Sequence, residues 1–316
     1  MEGEGKLSGI RYSMLFVSLV YRKLVDLVKR FSVFFGVVIG LLFSMTATAT
    51  LGAQVTILYP KPLSIKDHRP LYPLRLLQLA LSKLDKPYVL KPSKVQMTQS
   101  RALRMVGTQK AADVIWTMST EEREQNYIPI RIPIYKGLIG WRLFLIHASQ
   151  QSKFDYVTGL VELQHLTAGQ GHDWPDNYIL NNSGIEVMTS SSYERLFDMS
   201  DSERFDFFPR SIIEIWGELE AWPEYNLAVE KTILLRYPTA MYFFVNKDNQ
   251  ALADDIERGL KIAIEDGSFE QMFLKHNEWL IQRGNLNGRK VIDLPNPLIP
   301  SQTPLSDSRL WYRLTK

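Results

Sequence analysis

The sequence contains no cysteine, which excludes disulfides, thiolate nucleophiles, zinc–thiolate centres and a lipid-modified cysteine. Its five histidines, His68, His147, His165, His172 and His276, never stand at the i, i+4 spacing of a zinc-binding helix, so no metal motif is present. A G-x-S-x-G elbow and a P-loop are also missing, and Gly169-Gln170-Gly171 lacks the third glycine of a dinucleotide fingerprint. No cofactor is implied. Charge of one sign is scarce as well. Of 37 Lys and Arg and 34 Asp and Glu, residues 1–53 hold six bases and three acids, leaving 31 of each in the remainder. A formally neutral body offers no concentrated basic face, so nucleic acid is excluded as a partner.

What is present is ample apolar material. A chain of 316 residues with 45% hydrophobic content is too long for one core and suits about two domains. Near the N-terminus, Lys29-Arg30 precedes an apolar run from Phe31 to Met45, broken only by Ser32, Gly36, Gly40 and Ser44, and then the small residues of Thr46 to Ala53. That order reads as a secretory signal peptide over 1–53, cleaved after Ala49 or Ala53. An uncleaved membrane anchor is the alternative, although a spanning helix needs about 20 apolar residues. Export to the periplasm is expected.

From residue 54 the pattern alternates. Ala53 to Tyr59, Tyr88 to Leu90 and Ala112 to Met118 read as buried strands, separated by helices over Pro70 to Leu84 and Gln96 to Val106, the first carrying Leu74, Leu77, Leu81 and Leu84 at helical spacing. This βαβαβ order predicts a parallel sheet covered by helices. Ile139 to His147 reads as a long strand leading out of it. A second alternation starts near residue 165, and Tyr242 to Asn246, Leu252 to Ala263 and Phe269 to Trp279 read as a strand and two helices that rejoin the first set. The fold class expected is α/β with two lobes: 54–147 plus 239–284, and 148–238. Crossovers are expected near His147 to Gln150 and Arg236 to Tyr242. Residues 285–316, with Pro295, Pro297, Pro300 and Pro304, are expected to lie extended on the surface.

Two segments carry a family resemblance. Met118-Ser119-Thr120-Glu121-Glu122-Arg123, followed by Pro129 to Tyr135, resembles the T-x-x-R segment and proline-aromatic strand of type II periplasmic binding proteins, solute-binding family 3. Glu203 to Arg210 resembles that family's acidic strand after the second-lobe helix, and the order of elements covers nearly all of 54–280. The resemblance implies a Venus-flytrap receptor whose lobes close on a small solute, working with a membrane permease or sensor protein and acting as a monomer.

It also implies a site. Arg123, with Thr120, takes the family's carboxylate-binding place, where a planar guanidinium fork matches a carboxylate; a surface ion pair with Glu122 or Glu124 is the alternative. Gly169, Gln170 and Gly171 take the place of the second-lobe amides, as an anion-contacting turn or a plain one. Arg210 stands where amino-acid binders place an aspartate, a departure that favours an anionic solute held between Arg123 and Arg210. Tyr72, Trp116 and Trp174, with Tyr135 and Trp141, are aromatic candidates for the cleft or for plain packing. Two other classes stay open: an enzyme on the same scaffold, dehydratase-like, with Asp206 or Glu214 as its acid or base, and a membrane-anchored sensory domain.

Overall fold

The computed structural model describes residues 54–62, 66, 69–107 and 112–314, together with 22, 23, 25, 27 and 28, which are helical. The chain forms two compact units, Met1–Gly52 and Ala53–Lys316. The apolar run and cleavage zone of the expected signal sequence, residues 31–53, lie outside the described residues. Among those that are described, no helix is long and apolar enough to cross a membrane. Both lobes belong to the second unit.

The first lobe begins with β1 (Val55–Lys61) and β2 (Tyr88–Gln96), paired in parallel with Ile57 opposite Leu90. Parallel neighbours need a long connection, here α1 (Leu71–Ser82). α2 (Gln99–Arg104) leads to β3 (Val114–Met118), and α3 (Glu121–Asn126) to β4 (Tyr127–Ile130). Asp113 ties β1 to β3, its N–H donating to Leu58 O at 2.8 Å and its Oδ2 accepting from Leu58 N at 2.7 Å. β11 (Met241–Asn246), more than 100 residues on, inserts between β3 and β4 and runs antiparallel to both. After it come α8 (Gln250–Glu265) and α9 (Ser268–Arg283). The core sits where Leu76, Leu77, Ala80 and Leu81 of α1 meet Ile256, Leu260 and Ala263 of α8. The buried stripe of α1 is rotated from the expected leucines, since Leu74 and Leu84 are only half-buried while Leu76 is fully covered.

The second lobe is built on β5 (Trp141–His147), which runs antiparallel to β8 (Phe208–Ser211), β9 (Leu227–Val229) and β10 (Ile233–Arg236). β6 (Ala168–Gly171) and β7 (Val187–Ser190) pair in parallel and join β8 through a bridge from Ala168 to Phe207. α4 (Leu160–Leu163), α5 (Asp176–Asn182), α6 (Tyr193–Asp201) and α7 (Ile215–Ala221) lie between these strands in the chain.

One expectation about the crossovers is corrected. β5 belongs to the second sheet, so the first crossover occupies residues 131–140 rather than the stretch near His147. The run from Ile139 looks continuous in sequence because both its parts are buried, in the crossover and then in the sheet. The second crossover, between β10 and β11, covers residues 237–240. The two run side by side: Tyr237 N donates to Gly140 O at 3.1 Å, and a side chain on Gly140 would meet Tyr237 O at 2.2 Å.

The tail is also more than a surface extension. β12 (Lys290–Asp293) pairs in parallel with β10 at the edge of the second sheet, so the chain crosses a third time after α9. It then returns past the crossovers. Asn296 Nδ2 donates to Pro238 O at 2.8 Å, Ser301 N to Glu121 Oε1 at 3.0 Å, and Tyr312 N to Lys136 O at 2.8 Å. Gly137 sits in the left-handed region at φ +82, where a side chain would collide with the Trp311 ring at 2.5 Å.

Candidate functional site

A cavity of about 170 Å³ opens between the lobes. The first lobe contributes Lys61, Arg69, Gln99 and Trp116, and the first crossover Tyr135; the second lobe contributes Gly171, Asp173, Trp174, Asp176, Tyr193, Arg142, Arg210 and Glu214. Its second-lobe wall is a chain of alternating charges. Arg142 Nη2 lies 2.6 Å from Asp176 Oδ1 and its Nη1 3.5 Å from Glu214 Oε2. Arg210 Nη2 lies 3.2 Å from the same Glu214 oxygen and 2.7 Å from Glu218 Oε1, and Arg210 Nε donates to Glu218 Oε2 at 2.8 Å. Tyr193 OH donates to Glu218 Oε1 at 2.9 Å, and Arg142 Nε donates to Tyr237 OH at 2.8 Å, which in turn donates to Asp176. Burial disfavours the Arg210 guanidinium, but Glu214 and Glu218 outweigh it and hold its pKa above the ordinary value. Burial likewise opposes the charge of Arg142, and Asp176, Tyr237 and Glu214 together outweigh it.

Local sequence explains these placements. Arg210 is in β8 and Glu214 and Glu218 follow at intervals of four, so the turn into α7 brings both acids back over the arginine. Asp173 and Trp174 follow closely on β6, at the end of the strand that faces the first lobe. The Trp174 indole stacks on Phe208 at 6.2 Å and carries the Arg210 guanidinium 4.6 Å from its centroid. Arg69 reaches across from the first lobe to lie 4.0 Å from the Tyr193 ring centroid and 5.7 Å from that of Trp174. Another contact bridges the cleft: Asp173 Oδ2 accepts from Ser100 N, in the first turn of α2, at 3.0 Å.

Of the binding residues singled out from sequence, Trp116, Gly171, Trp174 and Arg210 line the cavity, joined by Tyr135; Arg123, Thr120, Tyr72, Gly169 and Gln170 do not. Arg123 is spent inside the first lobe: Nη1 donates to Thr117 Oγ1 at 2.8 Å and Met118 O at 2.7 Å, and Nη2 to Gln99 Oε1 at 3.1 Å. Burial lowers its pKa to about 10, an effect offset in part by the charges of Asp173 and Glu122. Of the two acids weighed as its surface partners, Glu124 bonds instead to Ser119 and Arg131. Thr120 caps α3 by accepting from Arg123 N at 3.2 Å. Tyr72 is a core residue beside Tyr135, its hydroxyl donating to Ile134 O at 3.2 Å. Gly169-Gln170-Gly171 is a ladder strand rather than a turn, with Gly169 N donating to Phe207 O at 2.8 Å. Its glycines make room, since a side chain on Gly169 would strike the Phe205 ring at 2.3 Å and one on Gly171 the Trp174 indole at 2.5 Å. Gln170 is buried and donates to Pro209 O at 3.4 Å.

The expectation of an anionic solute does not survive this geometry. It requires Arg210 to present an uncompensated charge to Arg123, whereas Arg210 is neutralised by Glu214 and Glu218 within its own lobe. Asp206 bonds Lys153 at 2.8 Å and Thr167 N at 2.8 Å, and Glu214 belongs to the charge chain. The residues that sequence reading misses are Asp173, Tyr193, Arg69 and Arg142. Asp173 carries a signal, standing between the Gly-Gln-Gly segment and Trp174; Arg142 carries none, being one cation within an apolar run.

The fold places this cleft between two α/β lobes. An ancestral arginine-binding protein bound to arginine has this fold, at 15% identity and TM-score 0.52, covering 72% of this chain and 99% of that one. A Salmonella typhimurium periplasmic binding protein of high arginine specificity matches at 16% identity and TM-score 0.51, covering 70% and 99%. A histidine kinase sensor domain with similarity to periplasmic binding proteins matches at 12% identity and TM-score 0.52, covering 71% and 96%. The chain thus has the periplasmic-binding-protein fold that the sequence resemblance implies. No protein-family model matches it, and no curated protein matches it in sequence.

Proposed function

We propose that this chain is an exported solute-binding protein, without enzymatic activity, that closes its lobes on a small amino-acid-like solute and presents it to a membrane permease or a sensor protein. The observation that carries this reading is the interlobe cavity, in which paired charges of both signs stand beside the aromatic faces of Trp116, Trp174 and Tyr193. A zwitterion has matching needs: it can exchange hydrogen bonds with such a wall without leaving a net charge buried. Two crossovers give the lobes a hinge, and contacts made from both lobes favour the closed form when solute is present. The Lys29-Arg30, apolar and small-residue order supports export, and the named similarity to arginine-binding proteins and to a kinase sensor domain supports both the class of solute and the two kinds of partner.

Mass spectrometry of solute released from gently purified protein, followed by a thermal-shift panel of amino acids, tests the reading. A solute at 100 times its dissociation constant adds about 2.7 kcal/mol of stability. Release of no amino-acid-like compound, together with unshifted melting across the panel, overturns it.

A further inference from the structure

The acids lining the cavity are of two kinds. Asp176 is held by Arg142, and Glu214 by Arg142 and Arg210. Asp173 is held by neither. Its side chain is only 12% exposed, yet among the described residues no lysine or arginine nitrogen comes within 4.0 Å of it, and its one ionisable neighbour at that distance is His172, with Nδ1 4.0 Å from Oδ1. Arg123 of the first lobe senses the carboxylate electrostatically without reaching it. Oδ2 accepts the N–H of Ser100, across the cleft, at 3.0 Å.

We propose that Asp173 makes lobe closure conditional on a positively charged group of the solute, its carboxylate serving the opposite lobe's backbone through one oxygen and an ammonium or guanidinium through the other. This rests on the solute-capture reading. A carboxylate has about four acceptor sites, and a single neutral N–H compensates little of the cost of removing it from water. Closure around an empty cavity therefore leaves Asp173 under-compensated, whereas closure around a cation adds a charge-assisted bond at that same group. Such differential affinity for the closed form is what shifts a two-state equilibrium. The wall beside it fits a cation as well. The Tyr193 face already takes the Arg69 guanidinium at 4.0 Å, and the cavity-lining acids of the second lobe, Asp173, Asp176 and Glu214, outnumber its arginines, Arg142 and Arg210.

The test titrates the parent and Asp173→Asn with agmatine, L-arginine and succinate by calorimetry, and follows closure by small-angle scattering. Asparagine keeps a carbonyl acceptor for Ser100 N–H, so the variant retains the interlobe bond and loses only the charge; its unliganded melting curve checks the fold. The parent should prefer the two cationic compounds and contract on binding them, and the variant should lose about tenfold or more in affinity for both. Equal affinity in the variant, or tighter binding of succinate than of agmatine by the parent, overturns the proposal and leaves solute capture standing. A parent that binds none of the three and carries no amino-acid-like solute overturns the capture reading, and this proposal with it.

Discussion

Arg210 grips Glu218 at two points, Nε to Oε2 at 2.8 Å and Nη2 to Oε1 at 2.7 Å, with both side chains buried. The sequence alone makes Arg210 a solute contact whose removal would leave the fold intact. In the structure it neutralises two acids of its own lobe. Arg210→Ala should cost about 3–5 kcal/mol of folding stability, the usual result of stranding a buried charge, and urea unfolding measures it. A variant as stable as the parent that has lost solute affinity would restore the role as a solute contact.

Gly140 is where the two crossovers touch. A methyl group there would lie 2.2 Å from Tyr237 O, a backbone atom that yields only if the strands part. Gly140→Ala should lower stability by roughly 1–3 kcal/mol, the range for overpacking. It should also change the scattering profile of the unliganded protein, because the strain falls on the hinge. Parent-like melting together with parent-like scattering would show that the crossovers separate freely.

Asp266 supplies a pH-dependent contribution. Lys83 Nζ at 2.6 Å and the Ser268 hydroxyl and N–H hold its pKa at about 2, below the ordinary 3.8. The folded-state value is depressed, so the contribution is complete above the unfolded pKa near 3.8 and is lost as pH falls through 2. NMR titration of the carboxyl carbon should find a midpoint near 2 that rises in Lys83→Ala. A midpoint at the ordinary value in the parent would remove the bridge.

Trp311 holds the tail against the first crossover. Its ring covers Gly137, its Nε1 donates to Pro304 O at 2.7 Å, and the next residue, Tyr312, packs edge-on against Trp141 at 5.8 Å. Trp311→Ala should cost roughly 2 kcal/mol, about half the usual value for a fully buried tryptophan. It should also widen the interlobe swing seen by scattering when solute is removed. An unchanged swing would make the tail a passive cover.

The sequence displays the first lobe well because its periodicities are local: the apolar run of β1, the amphipathic α1 and the buried β3 each declare themselves within about ten residues. It misplaces β5 because an apolar run looks the same whether it traverses a hinge or fills a sheet, and it hides β12 because an edge strand of four residues, three of them exposed, has no period to detect. At the site, Trp116 and Trp174 are legible by residue type. Arg210 is legible as a cleft charge but not as a satisfied one, since the acids that answer it lie beyond the segment carrying the family resemblance. Arg142 and Asp173 acquire their meaning only from partners 34 and 73 residues away, Asp176 and Ser100.

The third crossing sets an order of assembly. β10 is complete at Arg236, but the strand that covers its open side arrives only with Lys290–Asp293, after α8 and α9 have been made. Until then a row of unpaired N–H and C=O groups flanked by Ile233, Leu234 and Leu235 is open to any other chain, the circumstance in which edge strands aggregate. During N-to-C synthesis the second lobe is thus the last to be sealed, although most of its residues precede the final helices of the first. A chain ending at Arg283 would keep every residue of the cavity and still expose that edge, so its fault would appear as poor recovery and self-association rather than as a defect in binding.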